Sequence, residues 1–197
     1  MRDIGRRLAA VAEDPGFQWE FNVIDAPQVN AFALPGGKVA VYTGLLPVAQ
    51  NADGLAVVMG HEIAHAIARH GAERLAHEKL TQLGALAVGA SLGEMSLENR
   101  RLVMAALGVG AQFGVLLPFS REHESEADYI GLLYMAKACF DPREAPRLWE
   151  RMRAAGGGQA VEFMSTHPSH ETRIRQLNDW LPEALKVREE HCGPGPG

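Results

Sequence analysis

One feature constrains this chain more than any other: His61-Glu62-Ile63-Ala64-His65 stands in the middle of an otherwise apolar helical pattern. The spacing of apolar residues predicts a helix over about 54–71. Residues four apart share a helix face, so both imidazoles can reach one metal ion. Glu62, one residue on from His61, points to the flank of that face, where it can touch a metal-bound water rather than the metal. Zinc lowers the pKa of such a water to about 7, and a carboxylate beside it can take the proton. The bland alternative is a helix with two hydrogen-bonded histidines.

A catalytic zinc takes three protein ligands. The metzincin continuation would place glycine at 68 and histidine at 71; the chain has Ala68 and Gly71, which excludes it. His70 is five residues past His65 and well round the helix. The other option is a carboxylate on a second helix, and the stretch from Ser120 to Asp128 offers Glu122, Glu124 and Glu126. Glu124 has Asp128 one turn on along its face, where that carboxylate can accept the Nδ1 proton of a ligand histidine. Glu122 and Glu126 lie on other faces and read as solvated or paired. Spacing alone leaves the choice open, since an acidic helix is most often a wet surface. His70, His77, His123, His170 and His191 show no ligand spacing.

The rest of the chain supplies the frame. A first helix over about 1–13 ends at Asp14-Pro15-Gly16. Phe17 to Ile24 alternates aromatic and polar residues, the mark of a half-buried strand. Short strands over 29–34 and 38–42 flank the turn Pro35-Gly36-Gly37. From Gly44 the period is helical, with further helices expected at about 44–50, 73–90, 97–116, 120–138, 142–155 and 170–186. These elements predict one α+β domain over 1–188, mostly helical with a small antiparallel sheet near its N-terminus, and a flexible tail over 189–197. Asn30, Ala31, Phe32 and Ala33 read as an edge strand to which an extended substrate can add. An ordinary core strand is the comparable reading, because Phe32 and Leu34 suit burial equally.

Composition narrows the function classes. With 47% hydrophobic and 22% charged residues, the 197-residue chain is globular rather than disordered. A net charge of -5 and a pI near 5.9 give no electrostatic case for binding nucleic acid. Cys139 and Cys192 are too few for a disulfide framework or a thiolate zinc site. A bridge between them is compatible only with an oxidising compartment. Met1 to Leu8 has no apolar core, so no signal peptide is expected in this chain. Residues 102–119 carry no charge over 18 positions, the lower edge of a transmembrane length. Three glycines, Gln112 and Pro118 favour a buried or peripheral helix instead. The apolar segments 82–93 and 102–119 are expected to cover the histidine helix, or to give a surface for peripheral membrane contact.

Taken together, several blocks resemble peptidase family M48, the family of HtpX and the CAAX prenyl proteases. They are Asn30 to Gly37, Val41 to Leu46, Gly60-His-Glu-Ile-Ala-His65, Ser120-Arg121 with Glu124 and Ala127-Asp128, and Thr166-His-Pro168 with Arg173. They run in family order from residue 1 to about 180 and are most similar to the soluble BepA- and LoiP-like branch. The resemblance implies a zincin fold of the gluzincin type with one Zn²⁺ per chain. His61, His65 and Glu124 would be the ligands, Glu62 the general base, and Asp128 the acid behind a ligand histidine. It also implies that His167 can take the open zinc position and hold the enzyme off, and that Arg173 lies near the substrate carbonyl. Either residue would then be a donor to the oxyanion; the plainer reading of His167 is a cap on the last helix. The implied activity is zinc-dependent metalloendopeptidase action on unfolded or misassembled cell-envelope proteins, periplasmic or membrane-associated. The alternative is a chaperone-like client-binding protein with a mostly latched zinc site, against which Glu62 speaks, since a pure binding module needs no base.

Overall fold

The computed structural model describes residues 1–13, 16–76, 79, 119–155, 162–167 and 171–193. The chain divides into two compact units, Met1–Gly71 with Pro118–Gly197, and Ala72–Leu117. In the second unit, residues 72–76 are helical. The remainder of the expected helices over 73–90 and 97–116, and the apolar segments 82–93 and 102–119 apart from Phe119, lie outside the described residues. Among the described residues, no helix is long and apolar enough to cross a membrane.

The first unit opens with α1 (Arg2–Val11), whose buried face carries Ile4, Gly5 and Leu8. Three strands follow, β1 (Glu20–Ile24), β2 (Ala31–Leu34) and β3 (Lys38–Tyr42), in the order β1-β3-β2. β2 and β3 form the antiparallel hairpin that the Pro-Gly-Gly turn predicts, with Ala31 opposite Val41 and Leu34 opposite Lys38. The expected all-antiparallel sheet needs correcting at β1, which pairs parallel to β3, Glu20 with Lys38 through Ile24 with Tyr42. The reason lies in the connection. The backbone N–H of Gly44 donates to Ala26 (2.9 Å), and that of Tyr42 donates to Asn30 (3.0 Å). The Thr43 hydroxyl accepts from the Ala26 N–H at 3.0 Å. The segment after β1 is thus bonded across the end of β3 instead of closing a hairpin with β2. β3 lies in the middle, and β2 is one of the two outer strands.

After a short 3₁₀ turn (Thr43–Leu45) and α2 (Leu46–Ala49), the central α3 runs Ala52–Ile67. Asn51 caps it, its side chain accepting the Gly54 N–H at 2.8 Å and satisfying one of the N–H groups that a helix start leaves bare. Every residue from Gly54 to His65 is buried, which is why this helix is apolar all round. It stops earlier than the expected 71. Ala68 caps it and Arg69 takes φ +60°, a left-handed turn that redirects the chain.

Among the described residues, four helices follow Phe119: α4 (Arg121–Lys137), α5 (Glu144–Ala155), the one-turn α6 (Glu162–Thr166) and α7 (Glu171–Cys192). Leu8, Val41, Met59, Ile63, Met135 and Leu148 are among the side chains of the shared core. α3 and α4 cross backbone to backbone. A Cβ at Gly131 would stand 2.8 Å from the His61 nitrogen, and one at Gly60 3.0 Å from the Gly131 carbonyl oxygen. α7 continues to Cys192, past Glu189, where the sequence reading begins its tail, and its end is bonded by the Cys139–Cys192 disulfide to the chain just after α4.

Two stability effects are expected. Gly131→Ala gains about 1 kcal/mol of helix propensity, but overpacking against backbone costs about 1–3 kcal/mol. Urea unfolding should therefore show a net loss; an unchanged midpoint would mean the helices part freely. Reducing the disulfide, or Cys139→Ser with Cys192→Ser, should remove about 2–5 kcal/mol of stability, read as a lower urea midpoint than for the oxidised protein.

Candidate metal centre

The close α3–α4 crossing brings two rows of polar side chains face to face inside the core. From α3 come His61, Glu62 and His65, exposed by 2%, 2% and 3%; from α4 come Glu124 and Asp128, at 1% and 5%. Ser120 caps α4 by accepting the His123 N–H at 3.1 Å, so Glu124 lies in the first turn, where the helix dipole favours a negative charge. His167, buried just beyond α6, completes a group of four possible ligands with His61, His65 and Glu124. Its segment is held by the Phe119 N–H donating to the Thr166 carbonyl (3.0 Å) and the Phe163 N–H to that of Val29 (3.1 Å). The Phe163 ring stacks on His167 at 4.4 Å.

The distances fit one small cation. Nε2 of His61 is 3.0 Å from Nε2 of His65 and 3.2 Å from Nδ1 of His167. Oε1 of Glu124 is 3.3 Å from Nε2 of His65 and 2.9 Å from Nδ1 of His167, and Oε2 is 3.5 Å from Nε2 of His61. Ligand atoms around a tetrahedral zinc, each at about 2.0–2.1 Å, are about 3.3 Å apart. Nε2 of His61 has three such neighbours, and an imidazole nitrogen carries at most one proton, so the contacts cannot all be hydrogen bonds. A shared cation satisfies all of them. The donors, imidazole nitrogen and carboxylate oxygen, are those of zinc sites.

Behind the ligands sits a buried ion network. Nδ1 of His61 is 3.0 Å from Oδ1 of Asp128, which directs Nε2 toward the other ligands. Arg173, on α7, donates to both Asp128 oxygens at 2.6 and 2.7 Å and also to Oε2 of Glu124. The face of Trp149 lies 3.7 Å under its guanidinium. Arg173 is thus engaged with the carboxylates of α4, where it can hold Glu124 and Asp128 in place.

The protonation states follow from these neighbours. Burial alone would lower the basicity of His61, but Asp128 and Glu124 outweigh it and push its pKa up to about 9. Burial and the nearby His61 keep His65 well below the usual imidazole range, hence neutral. Burial disfavours charge on Glu124, yet hydrogen bonds from His167, His61 and His65 hold its carboxyl below the ordinary value. Glu62 goes the other way, its pKa raised by burial in spite of His167 and His61. Among the described residues its Oε1 has no hydrogen-bond partner, and it lies 3.5 Å from Nε2 of His167.

Of the expected site residues, His61, Glu62, His65, Glu124, Asp128, His167 and Arg173 meet in this one place. His167 stands among the four possible ligands. Asn30, Ala31, Phe32 and Ala33 lie in or just before β2, an outer strand, and the Ala33 backbone bonds to Glu62. The sequence reading missed His70, which is buried with Nδ1 2.9 Å from Nδ1 of His65. A continuous helix would have carried it away; Gly71 was the local hint that the helix ends before it.

The chain matches the model described as Peptidase family M48 over residues 1–181. It is 48% identical over 186 residues to the mitochondrial metalloendopeptidase OMA1 of Schizosaccharomyces pombe, covering 93% of this chain and 53% of that protein. The human metalloendopeptidase OMA1, mitochondrial, is 37% identical over 183 residues, 89% of this chain and 35% of its own. The beta-barrel assembly-enhancing protease of Escherichia coli is 32% identical over 203 residues, 96% and 41% respectively. The chain therefore spans about half or less of the length of these relatives. The expectation of a periplasmic protein draws no support from the mitochondrial names among them. On these matches, and with a buried His–His–Glu–His group suited to the metal, the chain belongs to peptidase family M48, whose members use zinc.

Proposed function

We propose that this chain is the catalytic part of a zinc metalloendopeptidase, with His61, His65 and Glu124 holding the ion and Glu62 as general base. The observation that carries the reading is the convergence of four possible ligand atoms, all within 4.8 Å of one another, beside a buried carboxylate oxygen that has no hydrogen-bond partner among the described residues. When bound, zinc polarises a peptide carbonyl and makes a water acidic enough to lose its proton near pH 7. Glu62, its pKa raised by burial, takes that proton and returns it to the leaving amine. Asp128, locked by Arg173, keeps His61 in the tautomer that offers Nε2. Arg173 thereby acts through the carboxylates.

With the ion bound, His167 would be the fourth donor and take the position that a substrate carbonyl needs, so the arrangement reads as a closed resting form. Its displacement opens the site and frees its ring to donate to the oxyanion. A mostly latched, client-holding protein is the alternative; the names of the relatives, endopeptidase and protease, favour the enzyme. For the substrate, we favour an extended polypeptide added to β2, an outer strand tied to the site by the Ala33 N–H donating to Glu62. As clients we favour unfolded or misassembled envelope proteins; the Escherichia coli relative is named for enhancing beta-barrel assembly. The Cys139–Cys192 bond supports a compartment where disulfides persist.

Zinc content and casein cleavage test this together. The wild type should hold one zinc, lose activity on chelation and regain it with added zinc. Glu62→Gln should keep the metal and lose about 10²–10⁴-fold in rate. Zinc binding without cleavage by any variant would leave the client-holding reading. His167→Ala should keep zinc and cleave faster than wild type; slower cleavage with intact zinc would make His167 a transition-state donor with no latching role.

A further inference from the structure

We infer that His70 is a positioning residue for the metal ligand His65, joined through its other ring nitrogen to Glu126. This rests on the zinc reading above. Nε2 of His65 faces His61 and Glu124, so a ligand His65 must carry its proton on Nδ1. The group in reach of that Nδ1 is Nδ1 of His70, at 2.9 Å. Nδ1 of His70 must then accept, which puts the His70 proton on Nε2, and Nε2 is 3.2 Å from Oε2 of Glu126. Each neutral ring thus donates in one direction, and the series ends on a carboxylate.

The surroundings keep the relay in place. His70 is 2% exposed, its ring stacked on His123 at 4.3 Å, while Phe119 stacks on His65 at 4.1 Å. A buried donor whose partner is removed bears the full cost of its lost hydration. The left-handed Arg69 is what folds His70 back over His65. The two metal-binding histidines are therefore supported alike: His61 by Asp128 directly, His65 by Glu126 through a second imidazole. Glu126 is more than half exposed, so its share should be the smaller one.

The test is the zinc dissociation constant, measured by competition with a chromogenic chelator for wild type, His70→Leu, His70→Asn, Glu126→Gln and His61→Ala. Thermal melting of the chelator-stripped proteins accompanies it. His70→Leu should bind zinc about 10–100-fold more weakly, the usual penalty for losing such a partner. His70→Asn, whose amide oxygen can accept from Nδ1, should recover most of that loss even if its stripped form melts no higher. Glu126→Gln should weaken binding less than His70→Leu does. Wild-type affinity in His70→Leu, or an Asn variant no better than the Leu variant, overturns the role of His70. Zinc binding that survives His61→Ala overturns the zinc reading itself, and this inference with it.

Discussion

Everything at the site depends on how closely α3 and α4 approach at Gly60 and Gly131. Ordinary helix pairs keep their axes about 8–10 Å apart because side chains fill the gap. Here a Cβ on either glycine would stand within 3.0 Å of the opposite backbone. The crossing lies beside His61 in sequence and one turn from Asp128. It therefore sets the distance between the histidines of one helix and the carboxylates of the other. That distance decides whether the nitrogen and oxygen atoms form a ligand group or merely neighbouring polar residues.

Such closeness creates an electrostatic problem, solved within the same core. The carboxyl groups of Glu62, Glu124 and Asp128 are buried together with one guanidinium, that of Arg173. Isolated buried carboxylates are costly. Arg173 meets two of them, and Trp149 covers its face, so α7 is part of the site although it offers no ligand. The excess of acid still calls for positive charge, as the upward shift of His61 to about 9 registers. A divalent cation answers the same demand. The disulfide at the far ends of α4 and α7 ties together the two helices that this network joins.

Much of this was legible in the residues, for identifiable reasons. A four-residue spacing means one helix face in any helix, so His61 with His65 and Glu124 with Asp128 could be paired from local geometry alone. The Pro-Gly-Gly turn likewise announced the β2–β3 hairpin. What stayed hidden was set by long-range contacts. β1 alternates as a strand in either direction, and its parallel pairing depends on backbone bonds made by Ala26 and Asn30 some 12–18 residues from their partners. The bounds of α3 were overrun because Arg69 has no residue-specific reason to turn left-handed. The bonds of Arg173 to Asp128 and Glu124 had no local sign, because these partners lie 45 and 49 positions away.

The sequence on its own determined the chemistry available: two imidazoles and a base on one helix, an acid pair on another, and a family resemblance running almost the whole chain. Those are properties of residue type and short spacing, which survive whatever the rest of the chain does. Tertiary structure decided the assignments that depend on distance through space. It chose Glu124 over its acidic neighbours by aiming it at the histidines, brought His167 into the ligand group, turned Arg173 onto the carboxylates, and folded His70 back behind His65. Burial did the rest, since the same side chains in water would neither shift their protonation nor need partners.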